Sequence, residues 1–163
     1  MKRVLIALMI VLMSGFTVQA ADDATTAAVT EVLNKLAENY AARNLEATLA
    51  LFAPDLFVYG TGADEKRSGR AEMHIQMQRD WAQTEAASIA YNWTDVKASG
   101  NVAWAASDVT FHITAGEEHM HMPGRITFVL QKYGEKWLIE QMHASFPSAE
   151  QAEGKSWPEP EKK

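Results

Sequence analysis

The stretch SDVTFHITAGEEHMHMPGRITFVL, residues 107–130, decides the fold. Its first half alternates Val109, Phe111 and Ile113 with Asp108, Thr110 and His112, and its second half alternates Ile126, Phe128 and Leu130 with Arg125, Thr127 and Val129. A period of two belongs to a strand with one buried face. Between the halves, Gly116-Glu117 supplies the turn, and a connection of two or four residues centred there gives the same register. Asp108 then faces Arg125 and His112 faces His121. One face of the hairpin is wholly apolar, and Trp104, Asp108, Thr110, Arg125, Thr127 and Val129 share the other.

Downstream, Lys136 to Ser145 reads as a further strand. A three-residue turn at Tyr133-Gly134-Glu135 would set Trp137, Ile139, Gln141, His143 and Ser145 beside Arg125 and Thr127, and a two-residue turn would reverse that. Upstream, Ile89, Tyr91 and Trp93 alternate with polar residues as another strand. Before about Thr84 the period lengthens. Val29, Val32, Leu33, Leu36 and Tyr40 recur at three- and four-residue spacing and predict a helix over Thr25 to Ala42. Asn44 caps a short second helix carrying Leu45, Leu49 and Phe52, which Pro54 closes. Leu56 to Tyr59 reads as a strand running into Gly60-Thr61-Gly62, and Arg70 to Ala82 as a third helix presenting His74, Met77, Gln78 and Trp81 on one face, with Ile75 beside them. Three helices followed by antiparallel strands describe an α+β domain whose helices cover one face of a curved sheet.

The ends of the chain add a compartment. Lys2 and Arg3, an apolar run from Val4 to Met13 and the exit Val18-Gln19-Ala20 read as a signal peptide over residues 1–20, so a periplasmic or secreted location is expected. The apolar run is shorter than the roughly 20 residues that span a bilayer, so no membrane association is expected after cleavage. Residues 21–147 form the domain, and residues 148–163 a polar tail read as disordered. Loss of Lys2 and Arg3 moves the formal charge from −6 to −8, a poor balance for binding nucleic acid. The chain has no cysteine, which excludes disulfides, lipidation at cysteine and thiol catalysis.

Several segments together resemble a known family. Phe52-Ala53-Pro54-Asp55 after a long and a short helix, a strand ending in Gly60-Thr61-Gly62, and Gly69-Arg70-Ala71 opening the next helix are similar to the nuclear-transport-factor-like superfamily. Asn101-Val102-Ala103-Trp104, Arg125-Ile126-Thr127, Lys136-Trp137-Leu138, His143-Ala144-Ser145 and Pro147 look like its SnoaL-like branch, and the last segment also resembles the association domain of calmodulin-dependent kinase. The resemblance spans Ala24 to Pro147. It implies a cone of helices packed into a strongly bent, mostly antiparallel sheet, a pocket at the mouth of the cone and a homodimer through the sheet. It implies no single reaction, because the superfamily holds isomerases, cyclases, dehydratases and scaffolds.

The residues that could carry chemistry fall on the strands. His143 and Ser145, two apart, project to one face and offer a titratable nitrogen and a hydroxyl, or His143 fixes the strand end internally. Their separation of about 6–7 Å is too long for serine activation. Asp108 and Arg125 form either a carboxylate-binding arginine with an adjacent base or a structural salt bridge. Tyr40 and Tyr59 supply hydroxyls of the kind that polarise a carbonyl beside an aspartate, although Tyr40 also fits the core stripe of the first helix. His112, His119, His121 and His143 invite a zinc or copper reading, but their spacing matches no closed zinc motif and they read as scattered histidines of an exposed hairpin. No metal and no cofactor are expected. The expectation is therefore a small organic molecule in a pocket lined by Tyr40, Tyr59, Trp104, Arg125, Gln141 and Ser145, with Asp108 and His143 as the groups that could move a proton. Proton-transfer catalysis of the isomerase or dehydratase type is one alternative. A non-catalytic dimerisation or interaction module is the other.

Overall fold

The structure, a computed structural model, describes residues 22–148, 151 and 153–157; the expected signal peptide and residues 149, 150, 152 and 158–163 of the expected tail lie outside them. Among the described residues three helices, α1 (Asp23–Ala41), α2 (Leu45–Leu49) and α3 (Gly69–Ala82), accompany six strands: β1 (Phe52–Tyr59), β2 (Lys66–Ser68), β3 (Ala86–Ser99), β4 (Val102–Ala115), β5 (Glu118–Tyr133) and β6 (Lys136–Ser145). The sheet is open, in the order β2-β1-β6-β5-β4-β3, with β1 parallel to β6 and every other neighbouring pair antiparallel. No helix among the described residues is long and apolar enough to cross a membrane.

The register of the β4–β5 hairpin is the one its turn dictates: Asp108 pairs with Arg125 and His112 with His121. Val109, Ile126, Phe128 and Leu130 are at most 2% exposed on the face that meets the helices. Val29, Leu33 and Leu36 of α1 and Met73, Met77 and Trp81 of α3 close over them. Full burial of a large apolar side chain contributes about 1.5–3 kcal/mol, so this face is the main source of stability.

Two bulges alter which side chains share a face. In β6 the turn is the two-residue Gly134-Glu135, with Tyr133 opposite Lys136, and Glu140 is an extra residue between the pairs Leu130–Ile139 and Val129–Gln141. Trp137 and Ile139 therefore enter the core, whereas Gln141, His143 and Ser145 lie on the outer face beside Val129, Thr127 and Arg125. In β3, Asn92 is the extra residue between Tyr91–Val109 and Trp93–Asp108, and its amide donates to Thr110 Oγ1 at 2.9 Å. Ile89 and Tyr91 consequently pack on the core while Trp93, 55% exposed, points the other way. A bulge sends the following residues to the opposite face and bends the strand.

The short helix ends earlier than Phe52, which is already in β1 and fully buried; β1 carries Pro54 and Asp55 in an irregular stretch between Phe52 and Phe57. Helix α3 is rotated relative to the expected face. Met73, Gln76, Met77 and Trp81 are buried, Gln78 is exposed and Ile75 is 64% exposed. A polar glutamine in the buried stripe hides the true phase of this helix from a reading of apolar spacing.

Candidate functional site

Between α1, α3 and the inner sheet face lies a cavity of about 300 Å³, at the small end of the about 300–1,000 Å³ typical of ligand pockets. Its walls are apolar: Met73 and Met77 from α3 face Phe111, Met122, Ile126 and Met142 from the sheet, with Phe146 beyond β6. Unbranched methionines adapt their shape to a guest. Phe111 and Phe146 meet edge to face, their centroids 5.4 Å apart.

The helical side of the cavity is polar. Tyr40 projects from α1, Gln76 and Asp80 from α3, and Glu65 from the loop between β1 and β2. Gln76 and Asp80 are four apart, so both reach the side of α3 that carries Met73 and Met77. Gln76, only 5% exposed, donates through Nε2 to Glu65 Oε1 at 3.0 Å and to Asp80 Oδ1 at 2.7 Å. Two carboxylates on the same side fix the orientation of this amide. Its Oε1 is consequently turned away from both, and among the described residues it has no hydrogen-bond partner. Arg43 holds the helices together by donating from Nη1 to the Trp81 carbonyl at 3.0 Å, and the Tyr40 and Trp81 rings pack at 5.6 Å.

The two carboxylates are in different electrostatic states. Burial pushes the Asp80 pKa up and the charge of Glu65 adds to it, against the opposing effects of the Gln76 bond, Arg79 and Tyr40. Burial would also raise Glu65, but the Gly62 N–H, Arg79 and Gln76 together outweigh it and hold its pKa below the ordinary value. Arg79 Nη2 donates to Glu65 Oε1 and Nη1 to Asp64 Oδ2, both at 2.6 Å. Burial and the neighbouring charge of Asp80 raise the Tyr40 hydroxyl, which therefore stays protonated. Asp80 is thus a carboxyl that holds its proton more tightly than an ordinary aspartate, beside a neutral phenol.

Of the residues expected at the pocket, Tyr40 lines the cavity and the others do not. Tyr59, Trp104, Asp108, Arg125, Gln141, His143 and Ser145 gather instead on the outer face of the sheet. There Tyr59 pairs with His143, Arg125 with both Asp108 and Ser145, and Val129 with both Trp104 and Gln141. The Tyr59 and His143 rings are 5.9 Å apart. Asp108 and Arg125 stand opposite one another, both exposed, and among the described residues they form no ion pair within 4.0 Å. The physical reason is the polar–apolar alternation itself: residues that share a face with Arg125 are on the side away from the helices. Gln76, Asp80 and Glu65 were not singled out from sequence. The signal available was the spacing Met73, Gln76-Met77, Asp80-Trp81, a helical stripe with polar members.

A family model described as a SnoaL-like domain matches residues 29–149. Among solved structures, the chain is similar to a proposed dehydratase of the NTF2-like family from Streptomyces avermitilis, with a TM-score of 0.73, 16% identity and coverage of 78% of this chain and 99% of that one. It is similar to an NTF2-like protein of unknown function from Pseudomonas putida KT2440 at a TM-score of 0.69 and 15% identity, covering 79% and 90%. A proposed calcium/calmodulin-dependent protein kinase II association domain from Xanthomonas campestris gives a TM-score of 0.68 and 24% identity, covering 82% and 97%. These likenesses establish the fold. No curated protein matches the chain.

Proposed function

The chain belongs to the SnoaL-like family, and from that premise we propose that it binds a small, mostly apolar organic molecule in the cavity between α1, α3 and the sheet. The observation that carries this reading is the pairing of methionine and phenylalanine walls with one convergent polar group, Tyr40, Gln76 and Asp80. The unpartnered Gln76 Oε1 adds an acceptor that a guest can satisfy. A thermal-shift screen against aromatic, steroid-like and carboxylate compounds tests it. A compound at a hundred times its dissociation constant adds about 2.7 kcal/mol, a rise of several degrees. That rise should vanish in Met122→Trp, which fills the cavity. A screen in which nothing stabilises the protein rejects the reading.

A second reading, proton-transfer catalysis of the isomerase or dehydratase kind, draws support from the opposed pKa shifts of Asp80 and Glu65. Asp80 would exchange the proton while the Tyr40 hydroxyl donates to a developing oxyanion. Asp80→Asn should then reduce turnover of a bound compound by about 10²–10⁴-fold with little change in its binding. Retained turnover removes Asp80 from the role.

The outer face suits a second copy of the chain. Asp108 and Arg125 are opposite charges that form no ion pair among the described residues; Trp93, paired with Asp108, is 55% exposed, and Tyr59, further along the same face on β1, is 45% exposed. A two-fold interface is self-complementary, so each arginine would meet the other copy's aspartate. Light scattering of the wild type should give a dimer and of Trp93→Glu/Arg125→Glu a monomer; a monomeric wild type discards this part. Export to the periplasm or medium, read from residues 1–20, is tested by fractionating cells that express the whole chain.

A further inference from the structure

On the outer face near the tip of the β4–β5 hairpin, the register that places His112 opposite His121 becomes a direct contact. Their Nδ1 atoms are 2.6 Å apart, with ring centroids at 4.8 Å and planes inclined by 74°. A hydrogen bond between two imidazole nitrogens requires one to donate and the other to accept, so the two in-plane directions converge on a single proton. An imidazole nitrogen freed of its proton is a metal ligand. The point between these rings is therefore one that a cation could occupy in place of the proton, with both ligands presented by a paired sheet rather than by loops.

The separation of the two nitrogens selects among metals. With metal–nitrogen bonds of about 2.0–2.1 Å, two ligands at a right angle lie about 2.9 Å apart, whereas two ligands of a tetrahedron lie about 3.3–3.4 Å apart. At 2.6 Å, the pair needs to open by a few tenths of an ångström for the first geometry and by more than twice that for the second. Right-angled nitrogen ligands are those of tetragonal copper(II) and nickel(II); tetrahedral ones suit zinc.

We propose that His112 and His121 form a two-point chelating site for copper(II) or nickel(II), separate from the cavity. Among the described residues no set of three His, Cys, Asp or Glu side chains surrounds it, so the remaining positions are open to solvent or to an outside donor. His119, next along the same face, is engaged elsewhere through Nδ1 with Thr114 Oγ1 at 3.1 Å. Four residues of strand separate His112 from Asp108, about 13–14 Å at the usual rise, which places the pair beyond the charged ladder proposed to meet a second copy.

The test is a titration of chelator-stripped protein with copper(II) sulfate, followed by electron paramagnetic resonance and calorimetry. One equivalent should bind with an axial spectrum and coupling to two nitrogens. His112→Gln and His121→Asn should each weaken that binding at least tenfold, since loss of an outer-sphere partner alone costs about 10–100-fold. Thermal unfolding of the metal-free variants checks that they fold, and His119→Ala should bind as the wild type does. Zinc should bind at least tenfold more weakly than copper. Absence of a bound equivalent, or unchanged affinity in folded His112→Gln and His121→Asn, overturns the site. Zinc binding as tightly as copper overturns the right-angled assignment.

Discussion

A single amide joins Glu65 to Asp80: Gln76 Nε2 donates to one carboxylate at 3.0 Å and to the other at 2.7 Å. Its two partners depend on pH in opposite senses. Asp80 has a folded pKa above its unfolded one, so the native state holds the proton more tightly, and stability falls as pH rises from the ordinary value of 3.8 through the folded value. Glu65 has a folded pKa below the ordinary 4.5, so it contributes stability that is present above 4.5 and lost as pH falls through the folded value. In urea unfolding between about pH 3 and 8, Asp80→Asn should be more stable than the wild type at neutral pH and converge with it in acid. Glu65→Gln should be less stable at neutral pH and also converge in acid.

Removing the bridge itself is more damaging than removing either charge. Gln76→Leu keeps the volume but strips Asp80 of its buried donor, while Glu65 keeps its bonds from Arg79 and the Gly62 N–H, and an unsatisfied buried group costs about 1–3 kcal/mol. The loss should shrink in the double variant Gln76→Leu/Asp80→Asn, which a double-mutant cycle by chemical denaturation would measure.

Much of the frame was legible in the sequence because its signals were local. Alternation around Gly116-Glu117 predicts the β4–β5 register that is observed, and Asn44 caps α2 as expected, accepting from the Ala47 N–H at 3.1 Å. The site was less legible for two reasons. Glu140 and Asn92 shift the faces of β6 and β3 without leaving a compositional mark. Gln76 and Asp80, polar residues within a buried stripe, were masked by the rule that polar side chains face water. Arg125, Asp108 and His143 obey that rule and lie outside the cavity for the same reason.

Gly124 sits where a side chain cannot. A methyl group there would lie 2.5 Å from Phe111 Cε2 and 3.2 Å from the Ser145 carbonyl oxygen, so the ring, which lines the cavity, would have to move. Gly124→Ala should cost about 1–3 kcal/mol as overpacking does. Gly124→Ala/Phe111→Leu should recover part of it in thermal unfolding, because the shorter side chain vacates the contact.

Phe128, 1% exposed at the centre of β5, faces the helices. Truncation to alanine removes a buried ring and leaves a void, at about 3–5 kcal/mol. Equilibrium denaturation should show that loss, whereas Thr127→Ala, its exposed neighbour on the other face, should stay within about 0.5 kcal/mol of the wild type.

Deleting one residue from a central strand ordinarily turns every later side chain inside out. At Glu140 the arithmetic runs the other way: the residue is surplus to the ladder, and a chain lacking it would pair Ile139 with Leu130 and Gln141 with Val129 in unbroken succession. Met142 and Ala144 would still face the cavity and His143 the exterior. What would disappear is the bend that the surplus residue imposes, along with its carboxylate's hydrogen bond from the Tyr133 hydroxyl. The single-codon deletion therefore separates two properties that usually change together, leaving the identity of the cavity wall intact while flattening its curvature.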